Sequence, residues 1–133
     1  VFALDTNVLV RLLVADDAAQ ARRAESLIAA EQLAGRPVLL SLLVLLETEW
    51  VLRSRYELPK ERIADALSAL LDTEALLIED EEALARALHR WRRQTCGLAD
   101  CLIAERHLSL GADATLTFDR QAAKRAGMQL VSG

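Results

Sequence analysis

Little in these 133 residues can serve as a covalent or metal cross-link: there are two cysteines, Cys96 and Cys101, and two histidines, His89 and His107. Two local thiols exclude a disulfide framework, and without a second pair they do not make a zinc site. Free thiols, buried or half-buried, are expected. The histidines fall on separate helical segments with no H-x-x-x-H or H-x-x-E spacing, so both suit ordinary helix positions. Aromatics are scarce: Phe2, Trp50, Tyr56, Trp91 and Phe118 make up 4%, against 53% hydrophobic residues dominated by Leu and Ala. Such a chain is not disordered, and it favours helices packed on aliphatic surface. The longest apolar stretch, Pro37 to Leu46, falls well short of the roughly 20 residues that span a bilayer, and no basic-then-apolar signal precedes Val1. The expectation is a cytoplasmic protein with no membrane contact. The net charge of -4 argues against a general polyanion-binding surface, so any nucleic acid must be held by local basic patches.

What is present is an alternation of short apolar runs and helical patterns. Val1 to Leu4, Val38 to Ser41, Ala75 to Ile78, Ala114 to Phe118 and Gln129 to Val131 read as five buried strands. Between them, helical spacing runs from Val8 to Leu13, from about Asp16 to Leu33, from Leu42 to Arg53, from Pro59 to about Leu71, from Glu79 to about Arg93, from Leu98 to Leu110 and from Arg120 to Ala126. Gly35, Gly111 and Gly127 punctuate helix ends. Strands alternating with helices predict an α/β fold, a central, mostly parallel five-stranded sheet with helices on both faces, in one domain over 1–133. No repeat, linker or low-complexity segment interrupts it.

Two strands end in aspartate, Asp5 and Asp119. Ligands bind beyond the carboxyl ends of strands in open α/β sheets, yet an aspartate between a strand and a helix is also a favoured N-cap worth about 1 kcal/mol. Glu47 shares its helix face with Leu43, Val44, Trp50 and Val51, which predicts an inward carboxylate, although it can also snorkel to the helix edge. Glu49 points elsewhere and suits a surface ion pair with Arg53 at i+4. Asp100 lies in a first turn, where the helix dipole favours a carboxylate, but it shares a face with Ile103 and Ala104. Four inward acids would repel unless a cation sat among them, and hard oxygen donors select Mg²⁺ or Mn²⁺.

The segments Asp5-Thr6-Asn7-Val8-Leu9, Leu45-Leu46-Glu47 with Trp50-Val51-Leu52, Leu98-Ala99-Asp100-Cys101-Leu102-Ile103-Ala104 and Leu116-Thr117-Phe118-Asp119 resemble the four acidic motifs of PIN-domain ribonucleases, and within them the VapC toxins of toxin–antitoxin pairs. Each motif is weak and the four together are specific; order, spacing and length agree over essentially the whole chain. The resemblance implies an endoribonuclease with Asp5, Glu47, Asp100 and Asp119 around Mg²⁺ or Mn²⁺. It also implies a homodimer and inhibition by a small VapB-like antitoxin. Gly97 and Gln121 stand where many relatives carry further acids, which leaves the four-acid core intact and weakens the case for a second tightly held metal.

In the mechanism so implied, the acids hold an ion that activates water against a phosphodiester of RNA, while Asn7 and Thr117 orient carboxylates or water. Capping and turn chemistry explain Asn7 and Thr117 equally well. The segment His89-Arg90-Trp91-Arg92-Arg93 offers cations and an aromatic for single-stranded RNA, but arginines at a helix C-terminus also simply suit the dipole. Arg11, Arg53 and Arg55 are alternative contacts for RNA or an acidic partner. Two rival readings remain. A phosphatase with Asp5 as nucleophile is disfavoured because Asn7 replaces the second acid of D-x-D-x-[TV]. A metal-free interaction module would direct its acids at a partner's arginines.

Overall fold

The computed structural model describes residues 1–132. Its contacts divide the chain into two compact units, Val1–Glu79 and Asp80–Gly133. In the first, β1 (Val38–Leu40) pairs in parallel with β2 (Leu76–Ile78), Val38 opposite Leu76 and Leu40 opposite Ile78. The other edge of β1 receives the start of the chain through one parallel bridge, Ala3 to Leu39: Leu39 N–H donates to the Phe2 carbonyl at 2.8 Å and Leu4 N–H to the Leu39 carbonyl at 3.0 Å. Successive side chains point to opposite faces of a strand. Leu4, Val38, Leu40 and Ile78 are accordingly buried, while Leu39 and Leu77 remain exposed.

Four helices accompany this sheet: α1 (Thr6–Val14), α2 (Ala18–Leu33), α3 (Leu42–Ser54) and α4 (Lys60–Leu71). Three of their starts are fixed by side chains that occupy orphan N–H groups, while α4 begins after Pro59 with no side-chain cap. Asp5 accepts from Val8 N–H, Asp17 from Gln20 N–H and Ser41 from Val44 N–H, each such cap stabilising by about 1 kcal/mol. Glu79 Oε1 adds a bond from Leu42 N–H at 3.1 Å, tying the end of β2 to the start of α3. α1 packs on α2 and α3, and α3 on α4. Leu9, Leu45, Leu52, Ile63 and Leu67 are fully enclosed, each contributing roughly 1.5–3 kcal/mol by leaving water.

The second unit is built on α5 (Glu81–Arg93) and α6 (Leu98–Ser109). Leu84, Leu88 and Trp91 of α5 and Leu98, Cys101 and Leu102 of α6 are buried. Asp80, in a left-handed conformation at φ 53°, accepts from Ala83 N–H at the start of α5. It also takes a 2.9 Å ion pair from Arg106 and a hydrogen bond from the Ser109 hydroxyl at the end of α6. The two helices therefore run antiparallel. Further along, β3 (Leu116–Thr117) pairs in parallel with β4 (Gln129–Leu130), with α7 (Arg120–Arg125) between them. Gly127 takes φ 77°, and a Cβ there would sit 3.1 Å from the Arg90 guanidinium carbon.

This corrects the expectation of a five-stranded central sheet: among the described residues there are two two-stranded parallel sheets and one isolated bridge. An apolar run reports a wish to be buried rather than a length of ladder. Ser41 turns from the second run to cap α3. The fourth run is shortened because Thr117 Oγ1 accepts Asp119 N–H at 3.0 Å, removing that donor from any strand. The helices, by contrast, fall within a few residues of their expected limits.

Candidate active site

Leu4 is buried and hydrogen-bonded to β1, so the next residue, Asp5, is delivered to the end of this short extended segment and to the first turn of α1. One carboxylate oxygen, Oδ1, accepts Val8 N–H at 3.1 Å. Among the described residues the carboxylate has no basic partner. α3 presents Glu47 towards the same place: Asp5, Thr6 and Asn7 together with Leu43, Val44 and Glu47 line a shallow cleft of about 280 Å³. The first unit thus brings two of the four acids, and Asn7, to one cavity.

Glu47 reaches this cleft because it is exposed, not because it is turned inward. The face it shares with Leu43 and Trp50 is the open side of α3, on which Leu43 is 79% and Trp50 51% exposed. The buried side is Leu42, Leu45, Thr48, Glu49 and Leu52. A helix apolar nearly all round does not announce which face is inside. Glu49 makes the expected pair with Arg53, at 2.7 Å, but its carboxylate is buried rather than on the surface.

Asp100 and Asp119 belong to the second unit. Asp100 lies in the first turn of α6 and is half-buried, while Ile103 on the face expected to be inward is exposed. Asp119 is the exposed N-cap of α7, its Oδ1 accepting Gln121 N–H at 2.8 Å and Ala122 N–H at 3.3 Å. Thr117 holds the Asp119 N–H, so it orients the backbone of that aspartate.

Other acids are neutralised by neighbours. Glu31 pairs with Arg36 at 2.5 Å, and the Arg36 hydrogen bond outweighs burial to hold the Glu31 carboxyl below its ordinary pKa. For Asp80, burial works upwards and is overcome by Ser109, the Ala83 N–H and Arg106, so its pKa is also lowered. Asp5, Glu47, Asp100 and Asp119 make no ion pair among the described residues.

Residues 2–128 match the PIN domain family. The chain belongs to that family. PIN domains are generally nucleases, usually Mg²⁺-dependent, which places this protein among phosphodiester-cleaving hydrolases. Comparison with curated proteins returned no match. No helix among the described residues is long and apolar enough to cross a membrane.

The donor chemistry of the PIN domain cleft suits a hard divalent cation. Mg²⁺ is commonly bound by one or two carboxylates and keeps several waters; Asp5 and Glu47 supply two carboxylates on one cavity, with the Asn7 amide beside them. Among the described residues, no group of three or more His, Cys, Asp or Glu side chains is gathered into a ready metal site.

The surroundings of the acids include residues that spacing alone did not single out. Thr6, Asn7 and Glu47 also line a larger cleft of about 620 Å³ with Arg11, Trp50, Arg55 and Tyr56. Asp5 and Asn7 border a third, of about 580 Å³, with Arg11, Gln20 and Arg23. Tyr56 was a chain position without a motif; its hydroxyl donates to Asp16 at 2.8 Å and accepts from Arg11. Trp91, in contrast, is buried and offers no stacking face in the His89-to-Arg93 segment.

Proposed function

We propose that this PIN domain is a Mg²⁺- or Mn²⁺-dependent endoribonuclease, the VapC-like toxin of a type II toxin–antitoxin pair acting on cellular RNA in the cytoplasm. The reading takes 1–133 as one PIN-like domain that works as a homodimer and is silenced by a small VapB-like antitoxin. The observation that carries it is the cleft on which Asp5, Asn7 and Glu47 meet in a member of a nuclease family. Asp100 and Asp119 complete the proposed acidic set, and the absence of an ion pair on either among the described residues supports their inclusion.

A bound divalent cation supplies Lewis acidity that lowers the pKa of water and offsets phosphate charge. The chain's own contribution is the holding and orienting of groups. Asp5 and Asp119 each commit one oxygen to a helix N-terminus, which fixes the carboxylate and leaves the second oxygen as a donor. Glu47, on α3, would hold the cation or a water beside it. Asn7 orients water or a carboxylate at the cleft, and Thr117 fixes the backbone that carries Asp119.

The test is incubation of the purified, antitoxin-free chain with a mixed cellular RNA pool in Mg²⁺, in Mn²⁺ and in excess chelator. Cleavage is expected only with the cation and is expected to be lost in Asp5→Asn and Asp119→Asn. Equal cutting in chelator, or by both folded variants, would defeat the reading. Phosphate trapped on Asp5 would favour a phosphatase, and a protein that binds neither Mn²⁺ nor RNA with all four acids intact would be an interaction module.

A further inference from the structure

The cleft of about 620 Å³ has two chemically different ends. At one lie Thr6, Asn7 and Glu47; at the other lie Arg55 and Tyr56, with Trp50 between. Trp50 follows Glu47 by three residues and so occupies the same face one turn along α3. Arg55 is the C-cap of α3, eight residues beyond Glu47 and therefore roughly 12 Å farther along the helix axis.

Two features distinguish these side chains from surface filler. Trp50 keeps 51% of its surface exposed although the other tryptophan, Trp91, is 4% exposed. Among the described residues the Arg55 guanidinium makes no hydrogen bond or ion pair, its backbone N–H alone donating to the Val51 carbonyl at 2.9 Å, whereas the neighbouring Arg53 side chain is held by the buried Glu49. Arg11 is at the cleft edge in a fixed position, bonded through Nε to Gln20 and through Nη1 to Asp16 and Tyr56. An exposed indole beside unengaged guanidinium is the chemistry that grips a single nucleic-acid strand, bases stacking on the ring and phosphates meeting the cation.

We propose that α3 is the positioning rail of the substrate: a single-stranded RNA lies along this cleft with a base stacked on Trp50 and a backbone phosphate on Arg55, while a neighbouring phosphate reaches the acids at the Glu47 end. This rests on the ribonuclease reading above and adds to it the strand's path and the residues that set it. Arg55 thereby takes the contact for which Arg11, Arg53 and Arg55 were equal candidates in the sequence, and the acidic end requires that the strand bind with a divalent cation present. An acidic peptide is the competing occupant, since arginine and exposed indole suit it also; RNA is favoured because the cleft shares Thr6, Asn7 and Glu47 with the smaller one on which Asp5 and Glu47 meet, and carboxylates there would repel an acidic peptide unless a cation stood between them.

The two tryptophans make the test direct. A short single-stranded RNA with phosphorothioate linkages, which resist hydrolysis by cation-activated water while keeping the backbone charge, is titrated into the full chain with Mg²⁺ while indole emission and the anisotropy of a labelled copy are followed. Quenching is expected in the parent protein. In Trp50→Phe the quench should vanish while anisotropy still reports binding, because the remaining indole is buried. Trp50→Ala should weaken binding about tenfold. Arg55→Gln should weaken it and lower the salt slope by roughly 0.7–1. Arg22→Gln, on the exposed surface of α2 and bordering none of the three clefts, should bind as the parent does.

Unchanged affinity in both Trp50→Ala and Arg55→Gln, or a quench that survives Trp50→Phe, overturns the proposal. So does quenching by an acidic peptide with none by RNA. Quenching without any cleavage of unmodified RNA would count against the nuclease chemistry alone; cleavage that persists with unaltered KM in both variants would count against the rail alone.

Discussion

Asp5 and Asp119 each cap a helix with one carboxylate oxygen, and asparagine caps about as well as aspartate. Asp5→Asn should therefore melt within about 0.5 kcal/mol of the parent while losing cation-dependent cleavage; Asp5→Ala should also lose about 1 kcal/mol of stability. Thermal melts beside cleavage rates separate the two roles, and a variant that loses stability and activity in proportion would reduce Asp5 to a cap. Thr48 makes the opposite case. Its hydroxyl is fully buried without a hydrogen-bond partner among the described residues, so Thr48→Val should be neutral or stabilising by up to about 1 kcal/mol, and a clear drop in Tm would show that the hydroxyl is bonded. Cys101 should resist alkylation: burial first, then its contact with Cys96, pushes the thiol pKa up to about 12, leaving it protonated at neutral pH. In the folded protein iodoacetamide should label Cys96 ahead of Cys101, by peptide mass mapping. At this scale the sequence was half transparent. Asp5 and Asp119 could be located because strand-then-aspartate-then-helix is a local pattern. Glu47 and Glu49 were assigned to the wrong degrees of burial because α3 carries leucine and valine on every side, and the choice of inner face is made by α1 and α4, not by α3 itself.

Helices were readable for a reason that strands were not. A helix closes its hydrogen bonds within itself, so Asp17, Ser41, Pro59 and Gly111 mark its limits from nearby. A strand's length depends on a partner far away in the chain, and competing local bonds can take its donors first. At Ser41 and Thr117 that competition was won by a cap and a turn. The pairing that can be seen, β1 with β2 and β3 with β4, is parallel as the alternation of elements required. The cleft residues were harder still: Arg55 stood level with Arg11 and Arg53 as a candidate contact, and only the cavity that it and Trp50 share with Glu47 separates it from Arg53.

For the molecule as a whole, acid should act before base through the ion-paired carboxylates. Glu31 and Asp80 have folded pKa values below their ordinary ones, so the stabilisation they give is complete above the unfolded value near 4 and is lost as pH falls through the lower folded values. Tm followed from pH 6 down to pH 2 should decline more gently in Glu31→Gln and Asp80→Asn than in the parent; parallel curves would show the pairs to be without weight. Asp80 has one more consequence. The antiparallel pair α5 and α6 is joined at one end by residues 94–97 and latched at the other by this single side chain, so neither end is left to unravel alone. Amide deuteration should consequently be slow through the terminal turn of α6, and in Asp80→Asn it should quicken there first, spreading inward from Ser109 while the interior turns keep their protons.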